Sequence, residues 1–282
     1  DEYADMKPTA WTNSVRPGLD TDGRPGWAVF IGKAKLGASH YKAICDEVAD
    51  GKRPGWEYYH WTAESVLSPE ILAEAKRDLD PLTYAFEYMA DWSYAQGRTY
   101  YSFNRKIQCH TTEHDRWAPL HFSFDFNVSP GAAVVSQLQE WTGVRHSLHP
   151  NSGRMLTIDE LVIAVIGEVY IPTSSNSQRV ARKLCEDWGH HKGLIVCYGD
   201  ATGGAGGTAK VQGSDWELIK KELKLKFGDR VRFKIKGGNP REVVRVNSFN
   251  ARLLTADDRV HMIIDPLKAP RLVRDLEEVM WL

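Results

Sequence analysis

Hydrophobic and polar residues alternate strictly over residues 120–126 of the chain. Leucine and phenylalanine occupy one set of alternate positions, and His121, Ser123 and Asp125 occupy the other. Successive side chains of a β-strand point to opposite faces, so this pattern predicts a half-buried strand. Asp125 is expected on its polar face.

Several later segments continue this series of elements. Strands are predicted at residues 131–137, 155–163 and 194–198. A helix is predicted over residues 177–188, where apolar residues recur at helical spacing before Gly189, and the next helix begins with a capping pattern at Ser214. The order strand, strand, strand, helix, strand, helix is that of an RNase H-like core.

Two aspartates in this arrangement are candidates for chemistry. In an RNase H-like core the first and fourth strands are neighbours, which would bring Asp125 close to Asp200 at the end of residues 194–198. Each residue also has an ordinary interpretation. Taken by itself, Asp125 fits a surface carboxylate on a half-exposed strand better than a catalytic residue, and Asp200 fits an aspartate that forms a turn before glycines.

A third acidic residue, Glu160, is predicted on an apolar strand face together with Ile158 and Val162. A carboxylate on such a face is costly unless it is paired or bound to a metal. Carboxylates on adjacent strands can hold Mg²⁺ or Mn²⁺, which prefer oxygen ligands. Two such ions can activate a water and stabilise the leaving oxygen of a phosphodiester.

The first hundred residues predict fewer elements. Residues 27–32 favour a short buried strand followed by a turn, and Ser68-Pro69 predicts the start of a helix that continues to Lys76. Residues 92–116 show no clear period. We therefore predict a domain boundary in that stretch, with one domain over residues 1–112 and another over 113–282.

Composition excludes some classes of protein. Hydrophobic residues make up 42% of the chain and charged residues 26%, which is ordinary for a globular protein. There is no apolar run of about 18 residues, so no membrane span is expected. The four cysteines are widely spaced and favour reduced thiols. The chain begins with Asp1 and not with Met, which is not a natural translation start.

Charge is unevenly distributed along the chain. The net charge of −1 argues against a generally basic surface, yet residues 210–245 contain eleven Lys or Arg against five Asp or Glu. This stretch fits a phosphate-binding surface and a solvated helix and strand equally well. The glycine-rich segment after Asp200 lacks the order of a nucleotide-binding loop, and fits either the border of a DNA groove or a plain connection.

Together these residues resemble the large terminase subunit of tailed phages and prophages. In the first part, Asp1-Glu2 is similar to the end of a Walker B strand, and residues 30–41 are similar to a strand and turn that couple ATP hydrolysis to DNA movement. Lys33-Ala34 replaces the usual Thr-Pro pair there. In the second part, the matching segments are Phe124-Asp125-Phe126, Ile158-Asp159-Glu160-Leu161, residues 198–203, Gly213-Ser214-Asp215-Trp216, Asn239-Pro240, Arg245-Val246-Asn247 and Asp265-Pro266.

The resemblance implies an α/β fold: the C-terminal remnant of a RecA-like P-loop ATPase domain followed by an RNase H-like nuclease domain. It implies Asp125 and Asp200 as catalytic metal ligands, with Glu160 as a further catalytic candidate. Asp1 would support Mg²⁺ and Glu2 would orient water in ATP hydrolysis, with Gly32 and Gly37 in the coupling segment. The basic residues expected at DNA phosphates are Lys210, Lys234, Lys236, Arg241 and Arg245.

The implied activity of the intact protein is ATP-driven packaging of double-stranded DNA and metal-dependent cutting of concatemers. Its implied partners are the small terminase subunit and the portal, on which it would form a homo-oligomeric ring in the cytoplasm of the bacterial host. The phosphate-binding loop is expected before Asp1 and a third nuclease acid after Leu282. We therefore expect this chain alone neither to hydrolyse ATP nor to cut DNA well.

Two other hypotheses stay open. One is another RNase H-like nuclease, such as a resolvase or transposase, although the motor-like first hundred residues argue against it. The other is a non-catalytic DNA-binding or assembly protein that keeps the fold without a metal site.

Overall fold

The computed structural model describes residues 2–19, 23, 26–34, 39–92, 98–125, 130–150, 152–201, 215–235 and 237–280. They form two compact units, Asp1–Gln96 and Gly97–Leu282. The division lies earlier than the predicted boundary between residues 112 and 113. Within these described ranges, no helix has the length and apolar character needed to cross a membrane.

The described residues of the first unit form three α-helices and several short helical turns. The α-helices are α1 (Ser39–Ala49), α2 (Pro69–Asp78) and α3 (Pro81–Tyr88). Ser68 caps α2 and Pro69 opens it, as predicted, while Asp80 caps α3 by accepting from the backbone N–H groups of Leu82 and Thr83. An aromatic cluster forms the core of this unit, with Tyr3, Trp11 and Tyr41 among its buried members.

The strand predicted at residues 27–32 is wrong, because residues 26–34 pair with no strand among the described residues. Alternation is nevertheless present. Ala28 and Phe30 pack against the aromatic cluster, while Trp27, Val29 and Ile31 are exposed. Apolar composition favoured a strand here, but a strand also needs a partner for its backbone hydrogen bonds, which composition does not supply.

The described residues of the second unit form one mixed sheet of seven strands. These are β1 (Leu120–Asp125), β2 (Gly131–Glu140), β3 (His146–Leu148), β4 (Met155–Ile171), β5 (Ile195–Gly199), β6 (Val231–Phe233) and β7 (Arg259–Ile264). Their order is β3-β4-β2-β1-β5-β6, and β7, which lies off this path, also pairs with β4. β1 is antiparallel to β2 and parallel to β5. The strands predicted at residues 120–126 and 194–198 correspond to β1 and β5, so their predicted pairing is confirmed.

Helices cover both faces of this sheet. They are α4 (Arg105–Gln108), α5 (Ser177–Trp188), α6 (Asp215–Phe227), α7 (Glu242–Leu253) and α8 (Pro270–Glu278). Apolar residues of α5 and α6 pack with the leucine and phenylalanine face of β1 in the larger core cluster. Residues of α7 and α8 form a second cluster with β7 and part of β4. The result is a mixed α/β fold with two apolar layers.

Residues just before β1 belong to this second unit. The backbone N–H of Ser102 donates to Asn250 Oδ1 at 3.2 Å, and Gln108 Nε2 donates to the carbonyl of Leu253 at 2.8 Å. The backbone N–H of Thr112 donates to buried Asp265 at 3.0 Å. These long-range hydrogen bonds explain why the compact unit begins well before residue 113.

Candidate functional site

Asp125 and Asp200 lie at the ends of two adjacent parallel strands. Asp125 is the last residue of β1, and Asp200 directly follows β5. Phe124 pairs with Gly199, so the two aspartates come immediately after the same register position. Adjacent strands are roughly 4.7–4.9 Å apart. The structure therefore brings the two aspartates side by side, as the order of elements predicted.

The alternation of the strands sets the face on which these residues lie. Phe122 and Phe124 are buried against α5 and α6, which places His121, Ser123 and Asp125 on the opposite face. His121 stacks on Tyr198 with ring centroids 5.7 Å apart. Burial lowers the pKa of His121, and the nearby ammonium of Lys234 lowers that pKa further. The polar face that leads to Asp125 therefore carries aromatic rings and a cation.

Asp200 has a cationic partner that the sequence did not predict. Arg245 Nη1 of α7 lies 3.4 Å from Asp200 Oδ1, and the two side chains are 48% and 47% exposed. The Asp200 carbonyl accepts from Trp216 Nε1 at 3.0 Å, and Asn239 Oδ1 accepts from the backbone N–H of Ala201 at 2.9 Å. These contacts fix the backbone of Asp200 and leave its carboxylate facing a guanidinium.

Of the predicted DNA-binding residues, three lie in the described chain. Lys234 follows β6 and is exposed, and its backbone N–H donates to Cys197 of β5 at 2.9 Å. Arg241 precedes α7, and Arg245 lies in its first turns. Lys210 and Lys236 lie outside the described residues. The pairing of Arg245 with Asp200 places α7 beside the two aspartates, and the role of these cations in DNA binding stays a prediction.

Glu160 does not lie on an apolar face, so that prediction is wrong. Between two matched positions, β4 advances from Ile158 to Ile163 while β7 advances only from Val260 to Met262. The three extra residues of β4 form a bulge that breaks the alternation. The Glu160 side chain is 80% exposed and pairs with Arg145 at 2.9 Å.

Glu160 is also distant from the two aspartates. Asp125 pairs with Ala132 of β2, which pairs with Tyr170 of β4. Glu160 lies towards the other end of β4, next to Leu161, which pairs with Glu140 of β2. The eight steps of β2 from Ala132 to Glu140 span roughly 25–30 Å at about 3.3 Å per residue. The structure does not bring Glu160 to Asp125 and Asp200. The bulge gave no signal in the hydrophobic pattern, whereas the apolar run of residues 161–166 indicated that the strand continues beyond residue 163.

The predicted ATPase residues lie in the first unit. Glu2 has a left-handed backbone with φ 49° and is exposed. The backbone N–H of Tyr3 donates to the carbonyl of Ile31 at 3.1 Å, and a Cβ added at Gly32 would lie 3.0 Å from the Tyr41 ring. The segments of Glu2 and Gly32 are thus neighbours. Asp1 and Gly37 lie outside the described residues. The role of Gly32 and Gly37 in coupling ATP hydrolysis to DNA movement stays a prediction.

The aspartate pair suits a hard divalent cation. Carboxylate oxygens are preferred ligands of Mg²⁺, which commonly takes one or two carboxylates and keeps several waters. Asp125 is exposed and Asp200 is half-exposed. In the described ranges, no group of three or more His, Cys, Asp or Glu is arranged to hold a metal ion. The described residues therefore offer two carboxylates at neighbouring strand ends as candidate cation ligands.

No protein-family profile matches this chain, and no curated protein matches it in sequence. Solved structures of the large terminase from a thermophilic bacteriophage do match it. A complex with ATP-γ-S has a TM-score of 0.56 and 14% identity, over 100% of this chain and 62% of that one. A complex with ADP gives 0.56 and 14%, over 100% and 60%, and a further structure gives 0.55 and 14%, over 100% and 61%.

The predicted resemblance to a large terminase is thereby confirmed at the level of structure. The chain has a mixed α/β fold like part of that protein, and the match extends over all of this chain. It spans about three fifths of the length of the matched chains. The TM-score of 0.56 establishes the likeness of the folds, and an identity of 14% does not transfer an activity.

Proposed function

We propose that this chain is part of a phage or prophage large terminase and that its second unit is an RNase H-like nuclease domain. The observation that carries the proposal is the pair Asp125 and Asp200 at the ends of neighbouring parallel strands. The strand order β4-β2-β1-β5-β6, with β2 antiparallel to its neighbours and β5 and β6 parallel to β1, supports the same domain assignment.

The substrate of the proposed site is the DNA phosphodiester backbone. Asp125 and Asp200 would hold Mg²⁺ or Mn²⁺, and a bound metal would supply an activated water and stabilise the leaving oxygen. Arg241, Arg245 and Lys234 would pair with phosphates and set the position of the strand, without reading its sequence. Cutting at this site is accordingly expected with little choice of sequence.

We further propose that the first unit is the C-terminal part of an ATPase domain. The support is the match of this whole chain, both units included, to the bacteriophage terminase. The intact protein would then bind ATP and drive double-stranded DNA into a procapsid in the host cytoplasm. It would act as a homo-oligomeric ring on the portal, together with the small terminase subunit. Glu2 and Gly32 are the described residues assigned to this activity.

The full coverage of the chain favours this proposal over another RNase H-like nuclease. A resolvase or transposase would account for the seven-stranded unit but not for the matched first unit. A non-catalytic assembly protein is the second candidate, and the Arg245–Asp200 ion pair favours it, because a cation occupies one of the proposed ligands. Metal-dependent cutting of DNA distinguishes the two.

The test is nicking of supercoiled plasmid in the presence of Mn²⁺. The parent chain is expected to nick slowly, and Asp125→Asn is expected to abolish that nicking because a neutral amide is a poor ligand for a hard cation. Glu160→Gln is the matched control, since it neutralises a carboxylate of the same sheet roughly 25–30 Å away. Equal nicking by Asp125→Asn and the parent would contradict the proposed site.

A further inference from the structure

The ion pair between Arg245 and Asp200 has an unusual location for a surface salt bridge. Arg245 lies in the first turns of α7, and its Nη1 is 3.4 Å from Asp200 Oδ1. Asp200 and Asp125 stand side by side at the ends of β5 and β1. The guanidinium of Arg245 is therefore paired with one of the two carboxylates that the proposed function assigns to a divalent cation.

Electrostatics explains why a cation is favoured at this position. Asp125 and Asp200 follow paired positions on neighbouring strands. Like charges at such neighbouring positions repel each other, and a positive charge beside them reduces that repulsion. The beginning of a helix carries a partial positive charge that acts in the same direction, and α7 begins close to Arg245. A bound divalent cation would remove the need for the guanidinium and would repel it.

The ion pair between Arg245 and Asp200 is also weak enough to dissociate. Both side chains are about half-exposed, and exposed pairs of this kind are weak because water and salt screen them. Arg245 has a long, flexible side chain and a guanidinium that matches the geometry of a phosphate. The rotatable bonds of that side chain allow the guanidinium to leave a carboxylate for a phosphate.

We infer that Arg245 takes the place of the divalent cation at Asp200 while no cation is bound, and turns to a DNA phosphate when cation and DNA bind. Arg245 is thus a positioning residue that couples the two binding events. This inference rests on the proposed function. It adds that Arg245 competes with the cation and contributes to DNA binding only when the cation is present.

The first part of the test is calorimetric titration of Mn²⁺ into the parent chain without DNA. Arg245→Gln is expected to bind Mn²⁺ roughly two- to fivefold more tightly than the parent does. The guanidinium no longer competes with Mn²⁺ for Asp200, and the size of the gain is that of an exposed ion pair. Arg245→Lys keeps the positive charge and is expected to stay close to the parent. Thermal unfolding of each variant checks that its fold is unchanged.

The second part measures affinity for double-stranded DNA as a function of salt, once with Ca²⁺ and once with EDTA. With Ca²⁺, Arg245→Gln is expected to lower the slope of log Kd against log salt by about one, the effect of one lost phosphate contact. With EDTA it is expected to leave the slope unchanged. Arg241→Gln is the matched control and is expected to lower the slope equally in both conditions.

Two results would overturn the inference. If Asp200→Asn loses Mn²⁺ binding but Arg245→Gln binds Mn²⁺ as the parent does, the metal site exists and Arg245 does not compete for it. The same conclusion follows if Arg245→Gln changes the salt slope equally with Ca²⁺ and with EDTA. If the parent binds no Mn²⁺, or Asp200→Asn binds it as the parent does, the proposed function fails and this inference fails with it.

Discussion

The two ends of β1 and β5 are built from opposite kinds of contact. At the start of these strands, Leu120 is fully buried and its backbone N–H donates to the carbonyl of Leu194 at 2.8 Å. At the other end, Asp125 is exposed and Asp200 faces a half-exposed arginine. We call the end at Leu120 and Leu194 the closed end and the end at Asp125 and Asp200 the open end. The two ends are separated by the length of one strand, which is six residues in β1 and five in β5.

The closed end contains a set of polar contacts at the edge of the core. Buried Gln137 donates to the carbonyls of Asp115 and Ala118 at 2.8 and 3.0 Å. His114 bridges two neighbouring histidines, with its Nε2 3.0 Å from His191 Nδ1 and its Nδ1 3.3 Å from His190 Nε2. These contacts hold the loop before β1 against the turn before β5. The closed end thus fixes the register that places the two aspartates side by side at the open end.

The largest difference between the closed and the open end is expected in stability, when one residue at each end of β1 is replaced by alanine. Leu120→Ala is expected to lower the free energy of unfolding by about 2–5 kcal/mol, because it leaves a cavity in the larger core cluster. Asp125→Ala is expected to change it by less than about 0.5 kcal/mol, as is usual for an exposed site. Urea unfolding followed by circular dichroism measures both. Equal losses from the two variants would contradict the division into a closed and an open end.

Acid should weaken the closed end. Burial, followed by the neighbouring His191 and His190, lowers the pKa of His114 from 6.5 to about 4, and burial lowers that of His191. The unfolded chain therefore binds these protons more readily than the folded chain. The free energy of unfolding is expected to fall as pH drops from about 6.5 towards about 4.

His114→Gln should reduce this pH dependence, because it removes one of the groups whose protonation is disfavoured in the folded chain. His146→Gln is the control, since His146 is an exposed residue of β3 outside the cluster. Thermal unfolding measured at a series of pH values between about 4 and 7 compares the two variants. A His114→Gln curve parallel to that of the parent would show that the histidine cluster does not set the acid sensitivity.

A smaller effect is expected from single cations at the open end. Lys234→Gln and Arg241→Gln are each expected to lower the slope of log Kd for DNA against log salt by about one. Arg182→Gln is the control, because Arg182 lies on α5 and pairs with Glu222 of α6 on the opposite layer. An unchanged slope for Lys234→Gln or Arg241→Gln would remove that residue from the proposed DNA surface.

The sequence predicted the part of this site that depends on local pattern. The alternation of residues 120–126 identified β1 and the polar position of Asp125, and the apolar run before Gly199 identified β5. The order of elements then predicted that the two strands are neighbours, which the parallel register confirms. Sterics and hydrophobic burial set these features within a few residues of each aspartate.

Long-range features were not accessible in the same way. The bulge that turns Glu160 outward depends on the pairing of β4 with β7, whose strands are about a hundred residues apart in the chain. The contact between Arg245 and Asp200 depends on how α7 packs with α8, β7 and part of β4 in the second apolar cluster. The basic composition of residues 210–245 indicated a charged surface, but not which cation would lie beside the acidic pair.

The central claim is that Asp125 and Asp200 form one cation-binding site at the open end of the sheet. Calorimetric titration of Mn²⁺ into the parent, Asp125→Asn, Asp200→Asn and Glu160→Gln tests it most directly. Both aspartate variants are expected to bind Mn²⁺ at least about tenfold more weakly, since changes even to residues that only support a ligand cost about 10–100-fold. Glu160→Gln is expected to bind as the parent does. Unchanged binding in either aspartate variant, or a loss confined to Glu160→Gln, would contradict the claim.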